Sequence, residues 1–192
     1  MKKNFFYALG MAAMLCGCSS GSVEEDGNHM TATGLVGGLG NVVMSASYYD
    51  FKEEDPGCEF SGFSQLENFG RWTSEDSCTI WFDNIVPNSE LTVKIGVVMT
   101  CPSGEATKYD AYANGSYICS GETYPGSVYV NIPADKVGDN ENLSIGLKIK
   151  NPKRPIDINP SIYDSRLLGL AVANITLYGY SLEEEEEEIE AE

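Results

Sequence analysis

The residues best suited to chemistry lie in two segments that are far apart in the chain. The first segment contains Glu67, Arg71 and Trp72, and the second contains Asp164 and Arg166. An indole ring can stack on the apolar face of a sugar ring, while carboxylate and guanidinium groups hydrogen-bond its hydroxyls. These five residues are therefore candidates for a non-catalytic carbohydrate-binding site.

The same residues also suit a purely structural role. Asp164 and Arg166 have opposite charges and precede an apolar segment, so they are expected to hydrogen-bond and fix the loop before a buried strand. Glu67 and Arg71 are expected to pair with each other, with Trp72 packed beneath them. An exposed Trp72 would favour the sugar site, and a buried Trp72 would favour the scaffold. Trp81 lies within an apolar run and is expected in the core.

Groups for other chemistry are scarce in this sequence. The chain has a single histidine, His29, which argues against His-rich metal sites and Ser-His or Cys-His nucleophile pairs. Asp50, Glu53, Glu54 and Asp55 carry the oxygen ligands that calcium prefers, but no helix-flanked calcium loop is present, and a solvated acidic loop is the simpler interpretation. No cofactor is expected. A carboxylate-dependent glycosidase remains a minor alternative to a protein without enzymatic activity.

Four cysteines of the six lie in the body of the chain: Cys58, Cys78, Cys101 and Cys119. An even number in an exported chain favours two structural disulfides. Pairs of sequence neighbours, Cys58 with Cys78 and Cys101 with Cys119, are the first expectation, and unpaired buried thiols are the alternative. Because no two of these cysteines show C-x-x-C spacing, zinc or thioredoxin-like chemistry has no support.

The elements that must position these groups are strands. Apolar residues alternate with polar ones over residues 91–97 and 143–150, as they do in a half-buried strand. The Asn114-Gly115 dipeptide is typical of a tight hairpin turn. Residues 34–180 are therefore predicted to form an all-β domain, an antiparallel β-sandwich of jelly-roll type, with further strands at 42–48, 79–85, 108–113, 117–120, 127–132 and 175–180.

The first residues of the chain have the features of a signal peptide. Lys2 and Lys3 precede an apolar stretch of 13 residues, 5–17, which is too short for the roughly 20 residues that span a bilayer. The stretch ends in Leu15-Cys16-Gly17-Cys18 and resembles the bacterial lipobox. That resemblance implies that residues 1–17 are removed and that Cys18 is acylated, which would anchor the protein to a membrane. An ordinary secretory signal is the alternative.

The residue after Cys18 indicates which bacterial membrane would hold the protein. Lipoproteins with this kind of signal that remain at the inner membrane usually carry Asp there, and this chain has Ser19, so the resemblance implies the outer membrane. Residues 18–33 are expected to be a polar tether. Its Glu24-Glu25-Asp26 resembles the acidic signature of surface-exposed lipoproteins in Bacteroides-like bacteria, which suggests exposure at the cell surface.

The net charge of −17 is concentrated at the ends of the chain. Eight of the 29 acidic residues lie in Glu183–Glu192, so residues 181–192 are expected to be a disordered, self-repelling tail. This charge excludes nucleic acid as a partner, because phosphates would be repelled.

Two motifs together resemble a known kind of domain. The segment 61–73 resembles the pattern GW…E.wGrW, with Phe63 where Trp is common, and the segment 163–177 resembles D.R.LG.av..i.l. The pair resembles β-sandwich domains attached to bacterial cell-envelope glycosyltransferases. The resemblance covers residues 36–180 and implies association with surface polysaccharide. A lipid-anchored module that binds such a glycan is thus the first expectation, and an assembly lipoprotein that contacts an envelope protein through a sheet edge is the second.

Overall fold

The computed structural model describes residues 21–26, 29–36, 40–100 and 105–183, with side-chain surroundings for 45–100 and 105–179. Within these ranges the chain forms two antiparallel β-sheets that enclose one main hydrophobic core. The prediction of an all-β antiparallel sandwich is confirmed. No helix in the described ranges is long and apolar enough to cross a membrane.

Sheet A is the larger of the two sheets. Its hydrogen-bonded order is β1-β2-β3-β12-β7-β10, and the short strand β5 also pairs with β12. The bounds of these strands are β1 Gly21–Asp26, β2 His29–Val36, β3 Gly40–Asp50, β5 Arg71–Trp72, β7 Glu90–Thr100, β10 Gly126–Ile132 and β12 Leu170–Glu183.

Sheet B has the order β4-β6-β11-β8-β9. Its strands are β4 Glu59–Ser61, β6 Ser77–Phe82, β8 Thr107–Ala113, β9 Ser116–Thr123 and β11 Leu143–Ile149. Two single-turn helices, α1 Ala134–Val137 and α2 Pro155–Ile158, lie in the loops that flank β11. Asn114 and Gly115 join β8 to β9 with φ values of 48° and 76°, which fits the predicted tight hairpin turn.

The core lies between the two sheets and follows from alternation along the strands. In β11, Leu143, Ile145, Leu147 and Ile149 are buried, while the residues between them face outward. The inward residues of β7 meet them from sheet A. Each such large apolar side chain contributes about 1.5–3 kcal/mol by leaving water, so the two alternating segments hold the sheets together.

The start of β12 departs from this alternation, because both of its faces are covered. Leu170 and Val172 belong to the main core, while Ala171 packs in a second small cluster with Trp72 and Leu168. The register of β12 against β7 shifts between Ala171 and Asn174. Gly169, just before β12, allows close packing, since a Cβ there would lie 2.8 Å from Thr73 Oγ1.

The ends of the sandwich differ from the sequence prediction. The predicted polar tether covers 18–33 and the predicted domain begins at 34, whereas residues 21–26 and 29–36 pair as the antiparallel hairpin β1-β2, which adds two strands to sheet A through β3. Strand β12 continues to Glu183 by pairing with β3, beyond the predicted domain end at residue 180. Apolar and polar residues alternate only weakly in the β1-β2 hairpin and at the end of β12, and pairing with the edge of a formed sheet stabilises both segments. The predicted signal peptide, Cys18 and the remainder of the tail lie outside the described residues.

The cysteines do not form the predicted bridges. Cys58, Cys78 and Cys119 are free thiols, and Cys101 lies outside the described residues. Cys58 precedes Glu59, which pairs with Trp81, so Cys58 lies about four residues from Cys78 along the strand direction. That offset is about 13 Å, whereas a disulfide needs Cα atoms within about 7 Å. Burial raises the pKa of Cys58 and Cys78 to about 12, so both thiols stay protonated.

Candidate functional site

Three of the five predicted site residues form one ionic network. The Arg166 guanidinium donates to the Asp164 carboxylate from Nη2 at 2.7 Å and from Nε at 3.1 Å. Its Nη1 donates to Glu67 Oε1 at 2.9 Å. The predicted Asp164–Arg166 bond therefore exists, and Arg166 ties the loop before β12 to the first motif. Glu67 bonds to Arg166, and the predicted Glu67–Arg71 pair is not formed.

Arg71 is 8% exposed and points away from Glu67. Its Nη2 donates to the main-chain carbonyls of Glu53 and Glu54, at 3.2 and 3.1 Å. Its guanidinium lies 4.9 Å from the centre of the Phe60 ring, a cation–π contact. The acidic loop considered for calcium thus holds a guanidinium as its cation. No group of His, Cys, Asp and Glu side chains in the described ranges is arranged to hold a metal ion.

Trp72 is covered as well, with 7% of its surface exposed. Its ring packs edge-on against Phe69, with centroids 6.0 Å apart, and against Leu168 and Ala171. Because no face of this indole is open, it offers no platform for a sugar. The two motifs brought together by the fold therefore act as a scaffold that covers the start of β12.

The Asp164–Arg166 bond gives a prediction for pH dependence. Hydrogen bonding to Arg166 lowers the pKa of the Asp164 carboxyl. The ionised carboxylate therefore stabilises the fold fully at pH values above the ordinary pKa of aspartate, and this stabilisation is lost as the pH falls through the lowered pKa of Asp164. Asp164→Asn should lower the Tm at pH 7 by a few degrees, corresponding to about 1 kcal/mol for a partly exposed pair. The difference should shrink below about pH 4.

Asp157→Asn is the matched control, because Asp157 is exposed in the same loop and has no side-chain partner in the described part of the chain. Thermal melts of both variants and wild type over a pH series check the prediction. A Tm difference for Asp164→Asn that stays constant from neutral to acid pH would contradict it.

The outer side of sheet B carries an exposed tryptophan. Trp81, expected in the core, is 41% exposed, because its neighbours Ile80 and Phe82 are the residues of β6 that point inward. It lies between Glu59 of β4 and Ser144 of β11 in the strand register. An open indole beside polar groups is the arrangement that a sugar site at Trp72 would need.

An open cleft of about 440 Å³ lies beside Trp81. Its polar lining comes from Glu59, Asp83, Asn140, Asn142 and Ser144. Asn114 also lines it, but its side chain is engaged: Oδ1 accepts from Ser144 N at 3.0 Å, and Nδ2 donates to carbonyls of α1. Carboxylates without a fixed partner can accept hydrogen bonds from sugar hydroxyls, and amides can both donate and accept them.

Two tyrosines continue this surface across sheet B. Tyr112 of β8 lies opposite Tyr117 of β9, with ring centroids 5.9 Å apart in an edge-to-face arrangement. Tyr117 is 55% exposed, and its Oη hydrogen-bonds Ser120 Oγ at 2.9 Å. Standard sheet spacing places the Cα atoms of Trp81 and Tyr112 about 12 Å apart. The three rings therefore lie along a diagonal of one sheet face.

Gly146 forms the floor between these rings. It lies between Thr79 of β6 and Tyr112 of β8 in the register, on the outward side of β11. A Cβ at this position would meet Tyr112 Cβ at 3.7 Å and Cys78 O at 3.9 Å, which are ordinary contacts. The sheet would therefore accept a side chain here, and glycine leaves a shallow trough. We call Trp81, Tyr112, Tyr117 and this trough the aromatic face.

The sequence contains a signal for the aromatic face that the apolar composition of β6 obscured. Cys78, Ile80 and Phe82 form the buried set, so strict alternation assigns Ser77, Thr79 and Trp81 to the outside. The Tyr112–Tyr117 pair follows from the Asn114-Gly115 hairpin in the same way. What joins Trp81 to these tyrosines is the strand order β6-β11-β8-β9, which local patterns do not reveal.

No protein-family model and no curated protein matches this sequence. Among solved structures, dimeric latent PorU from Porphyromonas gingivalis matches at 13% identity and a TM-score of 0.43, over 71% of this chain and 12% of PorU. A family 35 carbohydrate binding module from Clostridium thermocellum matches at 9% identity and a TM-score of 0.41, over 69% of this chain and 96% of the module. Another family 35 module, from an environmental isolate, matches at 14% identity and a TM-score of 0.41, over 71% and 96%. This chain therefore spans about an eighth of the length of PorU.

Proposed function

We propose that this protein is a non-catalytic module that binds polysaccharide through the aromatic face of sheet B. The observation that carries the proposal is the diagonal of Trp81, Tyr112 and Tyr117 across the trough at Gly146. Indole and phenol rings offer flat apolar surfaces to the CH faces of sugar rings. A patch of large aromatic side chains on the outside of a sheet otherwise lowers solubility, so ligand binding would explain why these rings are exposed.

Polar groups along the same diagonal supply the second part of sugar recognition. Glu59, Asp83, Asn140 and Asn142 line the cleft beside Trp81, and Ser120 lies beside Tyr117. Stacking fixes the plane of a ring, and hydrogen bonds to its hydroxyls fix its orientation. Because the three rings are spread over three strands, the face suits several consecutive sugar rings, and affinity should rise with oligosaccharide length.

The test removes the stacking platform at one end of the diagonal. Trp81→Ala should weaken binding to polysaccharide about tenfold, since an aromatic contact contributes roughly 0.5–1.5 kcal/mol beyond its area. Binding is measured with a glycan array and by depletion on insoluble polysaccharides. The Tm should change little, because Trp81 lies outside the core.

Tyr129→Ala is the matched control for Trp81→Ala. Tyr129 is 58% exposed and lies on β10 of sheet A, so its removal tests for nonspecific loss of an exposed aromatic ring. It should leave binding unchanged. If wild-type protein retains no glycan, or if both variants bind as wild type does, the proposed function is wrong.

We further propose that the module is held at the bacterial outer membrane by acyl chains on Cys18 and faces surface polysaccharide. Support comes from the sequence Leu15-Cys16-Gly17-Cys18 after a short apolar stretch, and from Ser19 in place of an inner-membrane signal. Cys18→Ser should abolish incorporation of labelled palmitate and release the protein from the membrane fraction, whereas Cys16→Ser should do neither. Continued acylation of Cys18→Ser would overturn this assignment.

A further inference from the structure

Lysine side chains are concentrated at one end of the aromatic face. Lys148 follows Gly146 by two residues on the outward side of β11, and Lys150 and Lys108 lie side by side beyond it, where Lys150 N donates to Lys108 O. The chain as a whole has a net charge of −17, so these ammonium ions are opposite in sign to the net charge of the protein. Local charge, more than the net value, determines which ligand a surface accepts at short range, because salt screens distant charges.

Asp110 is the carboxylate that lies among these lysines. Lys150 Nζ lies 2.6 Å from Asp110 Oδ1, and the Ser120 hydroxyl donates to the same oxygen. These hydrogen bonds lower the pKa of the Asp110 carboxyl, and the pairing raises the pKa of Lys150, so both groups are charged at neutral pH. The Asp110 carboxylate is thus occupied mainly by Lys150.

Lys148 is the ammonium group that this pairing leaves available. It is exposed and forms no ion pair within 45–100 and 105–179, although it lies opposite Asp110 in the strand register. Lys108 lies opposite Glu122, which balances part of its charge. The Cα atoms of Lys148 and Gly146 are about 7 Å apart along the strand, so a substituent of a sugar ring over the trough is within reach of the Lys148 side chain.

On the basis of the proposed function, we propose that the aromatic face selects polysaccharides that contain uronic acids, and that the Lys148 ammonium receives the sugar carboxylate. A carboxylate at this position gains charge-assisted hydrogen bonds that a neutral hydroxymethyl group does not. Asp110 and Ser120 border the same position and can order the hydroxyls of that ring. Trp81, at the other end of the diagonal, stacks on sugar rings regardless of their charge.

The test compares oligosaccharides that differ only in the carboxylate. Calorimetric titrations of the full chain use β-1,4-linked mannuronate and mannose hexamers, and β-1,4-linked glucuronate and glucose hexamers. The acidic member of a pair should bind about tenfold more tightly, with a preference that falls as salt is added. Lys148→Met should remove the preference and leave the affinity for the neutral member unchanged. Lys94→Met, on sheet A, should alter neither affinity.

The outcomes separate the two proposals. Equal binding of acidic and neutral members by wild type, or a preference that persists in Lys148→Met, would overturn the assignment of uronic acids while the proposed function stands. Failure of both members of both pairs, together with an empty glycan array, would overturn the proposed function and this inference with it.

Discussion

Replacing Gly146 with valine is expected to reduce the affinity for polysaccharide more than tenfold, or by more than about 1.4 kcal/mol. Gly146 is the floor of the trough between Trp81 and Tyr112, and an isopropyl group there would stand where a sugar ring must lie. Since stacking needs close approach over the full ring, one protruding side chain disturbs contacts with aromatic rings on both sides. Titration with the best polysaccharide from the glycan array measures the effect.

The same substitution should leave the fold intact. A Cβ at position 146 makes only ordinary contacts, the nearest at 3.7 Å, and glycine inside a strand costs roughly 0.5–1 kcal/mol relative to alanine. The Tm of Gly146→Val should therefore equal or exceed the wild-type Tm, which separates loss of binding from loss of structure. A Gly146→Val protein that melts as wild type and binds as wild type would place the ligand elsewhere.

Thr79→Val is the matched control, because Thr79 lies beside Gly146 on the outward side of β6. Valine has nearly the shape of threonine, so this change makes the same region more apolar without filling the trough. It should retain most of the binding. Comparison of the two variants isolates the volume above Gly146 as the property that matters.

Much of the fold could be predicted from the sequence, because the alternation of apolar and polar residues along a strand is a local property. Residues 91–97 and 143–150 alternate strictly and form the central strands β7 and β11, and Asn114-Gly115 joins β8 to β9. The hairpin β1-β2 is not evident from the sequence because Gly21–Asp26 has little apolar alternation, and because β1 pairs with β2, which in turn pairs with the edge of β3. The absent Cys58–Cys78 bridge likewise depends on the β4–β6 register, which turn signals and spacing leave open.

The candidate site shows how far residue type alone can lead. An open tryptophan beside polar groups, which the sequence suggests at Trp72, is found instead at Trp81, where acidic and amide side chains line the adjacent cleft. Position 72 looked suitable because charged residues surround it in sequence, yet β5 folds onto β12, and Phe69 and Leu168 cover its ring. The charged neighbours, Glu67 and Arg71, bond to a distant loop and to carbonyl groups. Only tertiary packing distinguishes the two indoles.

Gly70→Ala is expected to cause the largest loss of stability in the chain, about 4 kcal/mol or more. Gly70 has a φ of 131°, a conformation that side chains rarely adopt, and a Cβ there would lie 2.0 Å from the carbonyl oxygen of Val172. This oxygen belongs to the backbone of β12 at its register shift, so it cannot move without breaking the sheet. Two main-chain bonds between Glu67 and Gly70, of 2.8 and 3.1 Å, hold the turn in place.

Gly126→Ala isolates the steric part of this effect. Gly126 has a comparable φ of 149°, but a Cβ there would meet nothing within 4 Å, so its substitution costs only backbone strain, roughly 1–3 kcal/mol. At about 2–4 °C per kcal/mol, Gly70→Ala should lower the Tm by roughly 10 °C or more and clearly further than Gly126→Ala. Thermal and denaturant unfolding measure both changes. Equal losses in the two variants would mean that β12 does not lie against the turn, and that the two motifs do not form the scaffold that covers it.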